Sequence, residues 1–121
     1  MLFDIVPPER SNLLNALAWE LKNSSSDTAI ILSAEALQLS SRERWQKGIA
    51  NSNRNLGAFY YLKGDYPKAL SHYSKALEIN KTLNNKPGIA ATLGNIGNVY
   101  YKQGNYPKAL KYYYSALEIA K

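Results

Sequence analysis

The apolar residues of the chain recur at intervals of three and four positions. Two such runs occupy residues 56–60 and 69–77, and their members are Leu56, Phe59 and Tyr60, then Ala69, Leu70, Tyr73, Ala76 and Leu77. This spacing places side chains on one face of a helix, whereas a strand alternates apolar and polar residues at every second position. The pattern predicts an all-α chain of amphipathic helices.

The sequence also repeats itself with a period of 40 residues. Residues 48–81 and 88–121 are identical at 19 of 34 positions, and both contain the run Tyr-Pro-Lys-Ala-Leu. A fainter copy lies another 40 residues earlier, in which Asn15 aligns with Asn55. A fixed period of this length indicates a solenoid built from one repeated supersecondary unit.

Each of the two similar repeats contains the signals of a turn between helices. Gly64 and Gly104 can adopt the left-handed conformation that ends a helix, and Asp65 and Asn105 can cap the helix that follows. A proline two residues later stands in the first turn of that helix, where the missing amide hydrogen has no intrahelical partner to lose. We therefore predict that each unit is a hairpin of two helices.

The run Asn53-x-x-Leu56-Gly57-x-x-Tyr60, followed by Ala69-x-x-x-Tyr73 and Ala76, resembles the tetratricopeptide repeat motif. The third repeat fits the same pattern through Leu93, Ile96, Gly97, Tyr100, Ala109, Tyr113 and Ala116. The resemblance implies an α-solenoid of tandem hairpins with a right-handed superhelical twist. We expect an N-terminal extension at residues 1–9 and repeats at residues 10–47, 48–86 and 87–121, which form one domain or a fragment of a longer array.

The first repeat departs from this motif. Leu17, Glu20 and Ser33 stand where the later copies have glycine, tyrosine and tyrosine, so we expect the first repeat to serve as a cap. The 40-residue length and the run Gly-Asn-Tyr-Pro-Lys-Ala-Leu further resemble the sensory arrays of bacterial histidine kinases and nucleotide cyclases. This narrower resemblance implies an input or assembly module of a bacterial signalling protein.

Family resemblance also assigns a candidate binding groove, because the first helix of each tetratricopeptide hairpin lines the concave side of the array. The groove residues expected on this basis are Ser11, Leu14, Asn15 and Ala18, then Asn51, Arg54, Asn55 and Ala58, then Ala91, Gly94, Asn95 and Asn98. Tyr61 and Tyr101 are expected at its edge, and Arg54 is the single cation of the lining. A protein or peptide is the expected partner.

The asparagines at positions 15, 55 and 95 recur with the repeat period, and two interpretations remain open. A carboxamide has two donors and an acceptor, so a column of them could hold the backbone of an extended peptide, as related 40-residue arrays do. Alternatively, each asparagine bonds to the neighbouring repeat and sets the spacing of the superhelix.

The sequence lacks the groups that a catalytic or metal site requires. It contains no cysteine and one histidine, His72, at the position where the third repeat has Tyr112. A general base, a nucleophile or a metal cluster needs several convergent polar groups. We predict no enzymatic activity, no metal and no cofactor, and we interpret His72 as a surface or packing residue.

The net charge of +6 is concentrated in the later repeats, since residues 47–121 contain 11 Lys and Arg against 3 Asp and Glu. Such an excess can attract nucleic acid or another anionic partner. The lysines concerned, however, lie near the turns and on the second helices, which form the convex side of the expected solenoid: Lys63, Lys68, Lys75, Lys102, Lys108 and Lys111. Nucleic-acid binding is the alternative, less favoured than protein binding.

Two expectations concern location and assembly. The sequence has no apolar run long enough to span a membrane and no signal peptide at its start, so we expect a cytoplasmic protein. The last helix repeats the sequence of an internal one, although a solenoid needs a polar terminal surface. We expect its apolar residues to join a homodimer or to contact further repeats or an effector domain: Tyr112, Tyr114, Leu117 and Ile119.

Overall fold

The computed structural model describes residues 7–121, which form six α-helices joined by short turns. The helices are α1 (Pro7–Leu21), α2 (Ser26–Arg42), α3 (Gln46–Lys63), α4 (Tyr66–Thr82), α5 (Lys86–Lys102) and α6 (Tyr106–Ala120). No strand occurs among these residues, and the prediction of an all-α solenoid is confirmed. Most of the extension predicted at residues 1–9 lies outside the described residues, while its last three belong to α1.

The helices pack as three successive hairpins, α1 with α2, α3 with α4 and α5 with α6, and each hairpin also packs on the next. The buried core lies largely between hairpins. One cluster joins Ala69 and Tyr73 of α4 to Ile96 and Val99 of α5, and another places Phe59 of α3 against the first hairpin. Each repeat buries its apolar face on its neighbour, so the stability of the fold depends on the interfaces between repeats. None of the described helices is both long and apolar enough to cross a lipid bilayer.

The turns within the second and third hairpins form as the sequence predicts. Gly64 and Gly104 have φ angles of +81° and +79°, a conformation that costs glycine little because it has no Cβ. The Asp65 and Asn105 side chains accept hydrogen bonds from the backbone amides three residues later, at 3.3 Å each. These caps satisfy amides that would otherwise have no partner in the first turn of α4 and α6.

Close contact between the two helices of a hairpin depends on a glycine facing a tyrosine. A Cβ built on Gly57 would lie 2.6 Å from the ring of Tyr73, and one on Gly97 would lie 2.7 Å from the ring of Tyr113. Either distance is shorter than any normal contact. The motif glycines are therefore required because the tyrosine ring occupies the space that a side chain would need.

The first hairpin follows a different alignment. Ser33 Oγ donates a hydrogen bond to Asn15 Oδ1 at 3.0 Å, so Asn15 faces Ser33 as Gly57 faces Tyr73. Ser33 lies 40 residues before Tyr73, but Asn15 lies 42 residues before Gly57. Helix α1 is thus displaced by two residues from the 40-residue period, which rotates it by about 200° at 100° per residue.

The α1–α2 turn explains this displacement. Its residues are Lys22 to Ser25, with Ser24 at the position that corresponds to Gly64. A serine takes up the left-handed conformation less readily than glycine, and no positive φ occurs in this turn. Helix α1 ends at Leu21, and Ser25 N instead donates to Leu21 O at 2.8 Å. The assumption that the first repeat keeps the 40-residue alignment is therefore wrong for α1, although it holds for α2.

Candidate functional site

The three first helices, α1, α3 and α5, enclose a cavity of about 600 Å³ on one side of the array. Tyr73 of α4 also contributes to it. The residues that line this cavity are Asn12, Asn15, Ala16, Trp19, Glu20, Asn51, Arg54, Asn55, Ala58, Tyr73, Ala91 and Asn95. The lining combines carboxamides, small residues and one exposed indole, which suits a peptide backbone with side chains of moderate size.

A second, smaller cavity of about 180 Å³ adjoins the first. The two share Trp19, Ala58, Tyr73 and Asn95, and the smaller one adds Lys22, Tyr61, Leu62 and Asn98. Because four residues are common to both, the cavities form one continuous depression, which we call the groove. Five of the twelve residues that line the larger cavity are asparagines, and three of the eight that line the smaller one are aromatic.

The predicted binding residues of the second and third repeats are placed in the groove with few exceptions. Asn51, Arg54, Asn55, Ala58, Ala91 and Asn95 line the larger cavity, and Tyr61 and Asn98 line the smaller one. Tyr101 lines neither cavity. The residue is 55% exposed, and its ring contacts that of Tyr106 edge-on, with the centroids 5.3 Å apart. Gly94 is likewise outside the lining of both cavities.

In the first repeat the groove prediction is wrong at three positions. Ser11 and Ala18 are fully buried and Leu14 is 5% exposed, so all three belong to the packed interior. Ser11 Oγ donates to Ala36 O at 3.1 Å, which ties α1 to α2. The physical reason is the rotation of α1, which turns these residues from the groove toward the core.

Sequence reasoning missed the residues that replace them. In the first repeat the larger cavity is lined instead by Asn12, Ala16, Trp19 and Glu20, together with Asn15. An alignment of α1 with α3 at a spacing of 42 residues in place of 40 would have identified them. The signal for that shift is the α1–α2 turn, which lacks the glycine found in the other two hairpins. Tyr73 was predicted as a motif residue and not as a groove residue, yet it lines both cavities.

The three periodic asparagines have different surroundings. Asn15 donates to Ser52 Oγ at 3.1 Å and accepts from Ser33 Oγ, while Asn55 donates to the backbone oxygen of Asn15 at 3.1 Å. These bonds join the first two repeats through buried groups, and Asn15 and Asn55 are 9% and 6% exposed. We call this set the polar knot. Asn15 and Asn55 thus make the contacts that the second interpretation expects, setting the spacing between repeats.

Asn95, by contrast, is half-buried and makes no side-chain hydrogen bond within the part of the chain that the structure describes. The equivalent of Ser52 is Thr92, whose hydroxyl donates to Gly88 O in its own helix at 2.7 Å. The equivalent of Ser33 is Tyr73. Because Thr92 and Tyr73 replace the two serines of the polar knot, Asn95 makes no equivalent hydrogen bonds, and its carboxamide faces the groove.

Arg54 is not the single cation of the groove lining, because Lys22 lines the smaller cavity. Arg54 is exposed and forms no ion pair within residues 7–121, and Glu20 is the only other charged residue of the larger cavity. Burial, and to a lesser extent the nearby Tyr61 hydroxyl, raise the pKa of Tyr73 well above its ordinary value. Burial and Tyr66 also raise the pKa of Tyr61. Both phenols therefore stay protonated, and available as hydrogen-bond donors, to a higher pH than an ordinary tyrosine.

Comparison with known proteins agrees with this geometry. The family described as tetratricopeptide repeat matches residues 48–121, more than half of the chain. The chain belongs to the tetratricopeptide repeat family. No curated protein sequence matches it. A family of this kind provides protein–protein interaction scaffolds, generally without enzymatic activity.

Three solved structures illustrate the shared tetratricopeptide repeat (TPR) fold. The TPR domain of Arabidopsis FLU has a TM-score of 0.83 at 23% identity, over 93% of this chain and 95% of that one. BtubC (BKLC) from P. vanneervenii has a TM-score of 0.83 at 26% identity, over 92% of this chain and 46% of that one. The N-terminal domain of stress-induced protein-1 (STI-1) from C. elegans has a TM-score of 0.75 at 16% identity, over 95% of this chain and 87% of that one. The likeness concerns the fold.

His72 is a packing residue of the second TPR hairpin. The Asn53 amide donates to Ile49 O at 3.0 Å, which orients its Oδ1 toward His72 Nδ1, 2.9 Å away, so Nδ1 carries the proton. The imidazole stacks on Tyr60 with the ring centroids 5.5 Å apart. Burial, followed by the charges of Lys75 and Lys68, lowers its pKa. The third hairpin repeats the stack with Tyr112 on Tyr100.

The lysines that were expected on the convex side take part in local contacts. Lys63 Nζ lies 2.6 Å from a carboxylate oxygen of Asp27, and Lys68 and Lys108 lie over the rings of Tyr60 and Tyr100 at about 5 Å. None of these lysines lines the groove. Within the described residues, no group of three or more His, Cys, Asp or Glu side chains could hold a metal ion.

The outer face of α6 is apolar and exposed. Tyr114 and Leu117 are 65% and 59% exposed, and Ile119 is 38% exposed. Tyr112 is half-buried because it stacks within its own hairpin. Comparison with α4 shows which residues a following helix would cover, since the counterparts of Tyr106, Leu110 and Leu117 are all more buried there. Tyr106 and Leu110 also belong to this face, although they are absent from the residues predicted above.

Proposed function

We propose that the groove holds an extended or helical segment of a partner protein, and that the chain is an input or assembly module of a bacterial signalling protein in the cytoplasm. The observation that carries groove binding is the continuous depression formed by α1, α3 and α5, whereas the signalling role rests on the resemblance of the 40-residue repeat to sensory arrays. Within it Arg54 forms no ion pair and Asn95 forms no side-chain hydrogen bond in the described chain, and both line the cavity with Trp19, which is 45% exposed. A partner segment would supply both the missing hydrogen bonds and an apolar surface.

The asparagines divide between two roles in this proposal. Asn15 and Asn55 maintain the junction between the first two repeats through the polar knot, although they also border the cavity. Asn95 contacts the ligand backbone, supported by Asn51, Asn98 and Ala58. Replacing a single hydrogen-bonding side chain costs about 1 kcal/mol, or roughly a fivefold loss of affinity.

Self-association through α6 remains a separate part of the proposal. The exposed apolar face of Tyr106, Leu110, Tyr114 and Leu117 supports it, with Ile119 at the margin and Tyr112 turned into its own hairpin. A second copy, a further repeat or an effector domain would each cover this face. This surface lies outside the groove lining, so partner binding and self-association can be tested independently.

A phage-displayed library of random peptides tests groove binding directly. Selection on the wild-type chain should enrich peptides whose affinity falls in the Asn95→Ala and Ala58→Arg variants. The matched control is Lys75→Ala, an exposed change on α4 outside the groove. Peptides that instead lose affinity in Lys68→Ala and Lys108→Ala, with a steep decline in salt, would favour an anionic partner on the convex side. Failure to enrich any peptide would refute groove binding.

A further inference from the structure

The two parts of the groove differ in chemistry, and together they specify a class of ligand. The larger cavity contains Arg54 among carboxamides, whereas the smaller one is framed by Trp19, Tyr61, Leu62 and Tyr73. Ala58 lies in both cavities and leaves the passage between them open. A ligand that fills the groove therefore meets Arg54 and several carboxamides on one side, and on the other a set of aromatic rings whose one cation, Lys22, lies over Trp19.

We infer that the groove selects an internal peptide segment in which an acidic side chain lies close to an aliphatic or aromatic one. This inference rests on the proposed function and adds which peptide sequences the groove prefers. The acidic group pairs with Arg54, and the apolar side chain packs between Trp19 and Tyr61 above Ala58.

Arg54 is suited to this role because its guanidinium is not neutralised by the chain itself. It forms no ion pair among the described residues, and it borders a cavity whose remaining polar groups are mainly uncharged. A planar guanidinium binds carboxylate through two parallel hydrogen bonds, which are stronger than neutral ones. The excess of Lys and Arg in residues 47–121 adds long-range attraction for an acidic segment.

Glu20 sets the position of the ligand's acidic group. Its carboxylate borders the same cavity from the C-terminal part of α1, while Arg54 borders it from the middle of α3. A ligand carboxylate is attracted to one and repelled by the other, so it is held on the α3 side. Lys22 borders the smaller cavity and lies over the Trp19 ring, with Nζ 4.2 Å from the centroid, an arrangement that fixes the indole as one wall.

Trp19 also provides the signal for the test, since the chain has two tryptophans and the other, Trp45, lies in the α2–α3 turn. In a Trp45→Phe background, fluorescence reports the groove alone. The probes are peptides with both termini blocked, each with one glutamate and one leucine at varied spacing in an alanine and serine chain. Matched peptides carry glutamine in place of glutamate, or serine in place of leucine.

We expect one spacing to bind about tenfold more tightly with glutamate than with glutamine. Arg54→Gln should abolish that preference, Glu20→Gln should increase it, and Ala58→Phe should weaken every peptide that contains leucine. Lys75→Gln, which removes one positive charge from the convex side, should change affinities by less than about twofold.

Each other outcome overturns the inference. Equal binding of glutamate and glutamine peptides, still sensitive to Ala58→Phe, would refute the acidic specificity and leave groove binding intact. A glutamate preference that survives Arg54→Gln but falls in Lys68→Gln would place the acidic group outside the groove. Absence of binding at every spacing, while library peptides bind in the groove, would show that the ligand has another composition.

Discussion

The polar knot predicts that three asparagines at equivalent sequence positions contribute very differently to stability. Asn15→Ala removes the partner of two buried hydroxyls, those of Ser33 and Ser52, both fully buried. A buried polar group left without a partner costs about 1–3 kcal/mol. Ser33 keeps a longer contact of 3.4 Å with the Asn55 amide, so we expect a total loss of about 2–4 kcal/mol.

The other two asparagines serve as internal controls. Asn55→Ala removes mainly one bond, to a backbone oxygen of Asn15, and should cost about 1 kcal/mol. Asn95→Ala should change the free energy of unfolding by less than about 0.5 kcal/mol, because no side-chain bond in the described chain is lost. A triple variant of Asn15, Ser33 and Ser52 to alanine should be more stable than Asn15→Ala alone, since it leaves no hydroxyl unpaired.

Urea unfolding followed by far-ultraviolet circular dichroism measures these differences. We expect the midpoints to rank Asn95→Ala above Asn55→Ala and both above Asn15→Ala. Equal losses for all three variants would refute the reasoning, because they would show that the asparagines form one uniform column. Recovery in the triple variant is the more specific result, since a merely disruptive Asn15→Ala change would be worsened by further substitutions.

Three further predictions concern packing, pH and assembly. Gly57→Ala should cost about 1–3 kcal/mol because its Cβ would strike the Tyr73 ring, whereas Gly94→Ala, in open space, should stabilise by up to about 1 kcal/mol in the same urea assay. The lowered pKa of His72 means that its stabilising contribution is present above its ordinary pKa of about 6.5 and is lost as the pH falls below it; His72→Gln should reduce this loss between about pH 7 and pH 5. Leu117→Glu should abolish self-association in light scattering, and a wild-type chain that stays monomeric at high concentration would contradict the dimer.

The sequence predicted those parts of the fold that depend on local chemistry. Gly64 and Gly104 end their helices in the left-handed conformation because few other residues adopt it cheaply, and Gly57 faces Tyr73 because that ring excludes a side chain. Each of these constraints acts within one hairpin. A repeat of the same residue types therefore predicts a repeat of the same geometry.

The first repeat could not be predicted in the same way, because its alignment depends on a turn that lacks those residues. The match between Asn15 and Asn55 is real in the sequence, but the two residues occupy different positions on their helices. The deciding features were Ser24 in place of glycine and the polar pair formed by Asn15 and Ser33. These residues can be read from the sequence, but their effect on the rotation of α1 follows only from the contacts in the folded structure.

The groove was predicted where the motif is intact and missed where it is not. Arg54, Ala58 and Asn95 follow from the motif alone. Trp19 does not, since its place in the groove results from the rotation of α1. The wall that Tyr73 provides arises from the packing of α4 between α3 and α5, which no single repeat contains.

Nuclear magnetic resonance with a library-selected peptide is the most direct test of the central claim that the concave helices bind the partner. Titration of the ¹⁵N-labelled chain should shift the amide signals of groove residues such as Ala16, Arg54 and Asn95. Signals from the convex side, such as that of Lys75, should stay unchanged. Shifts centred on Lys68 and Lys108, or confined to the outer face of α6, would contradict the account.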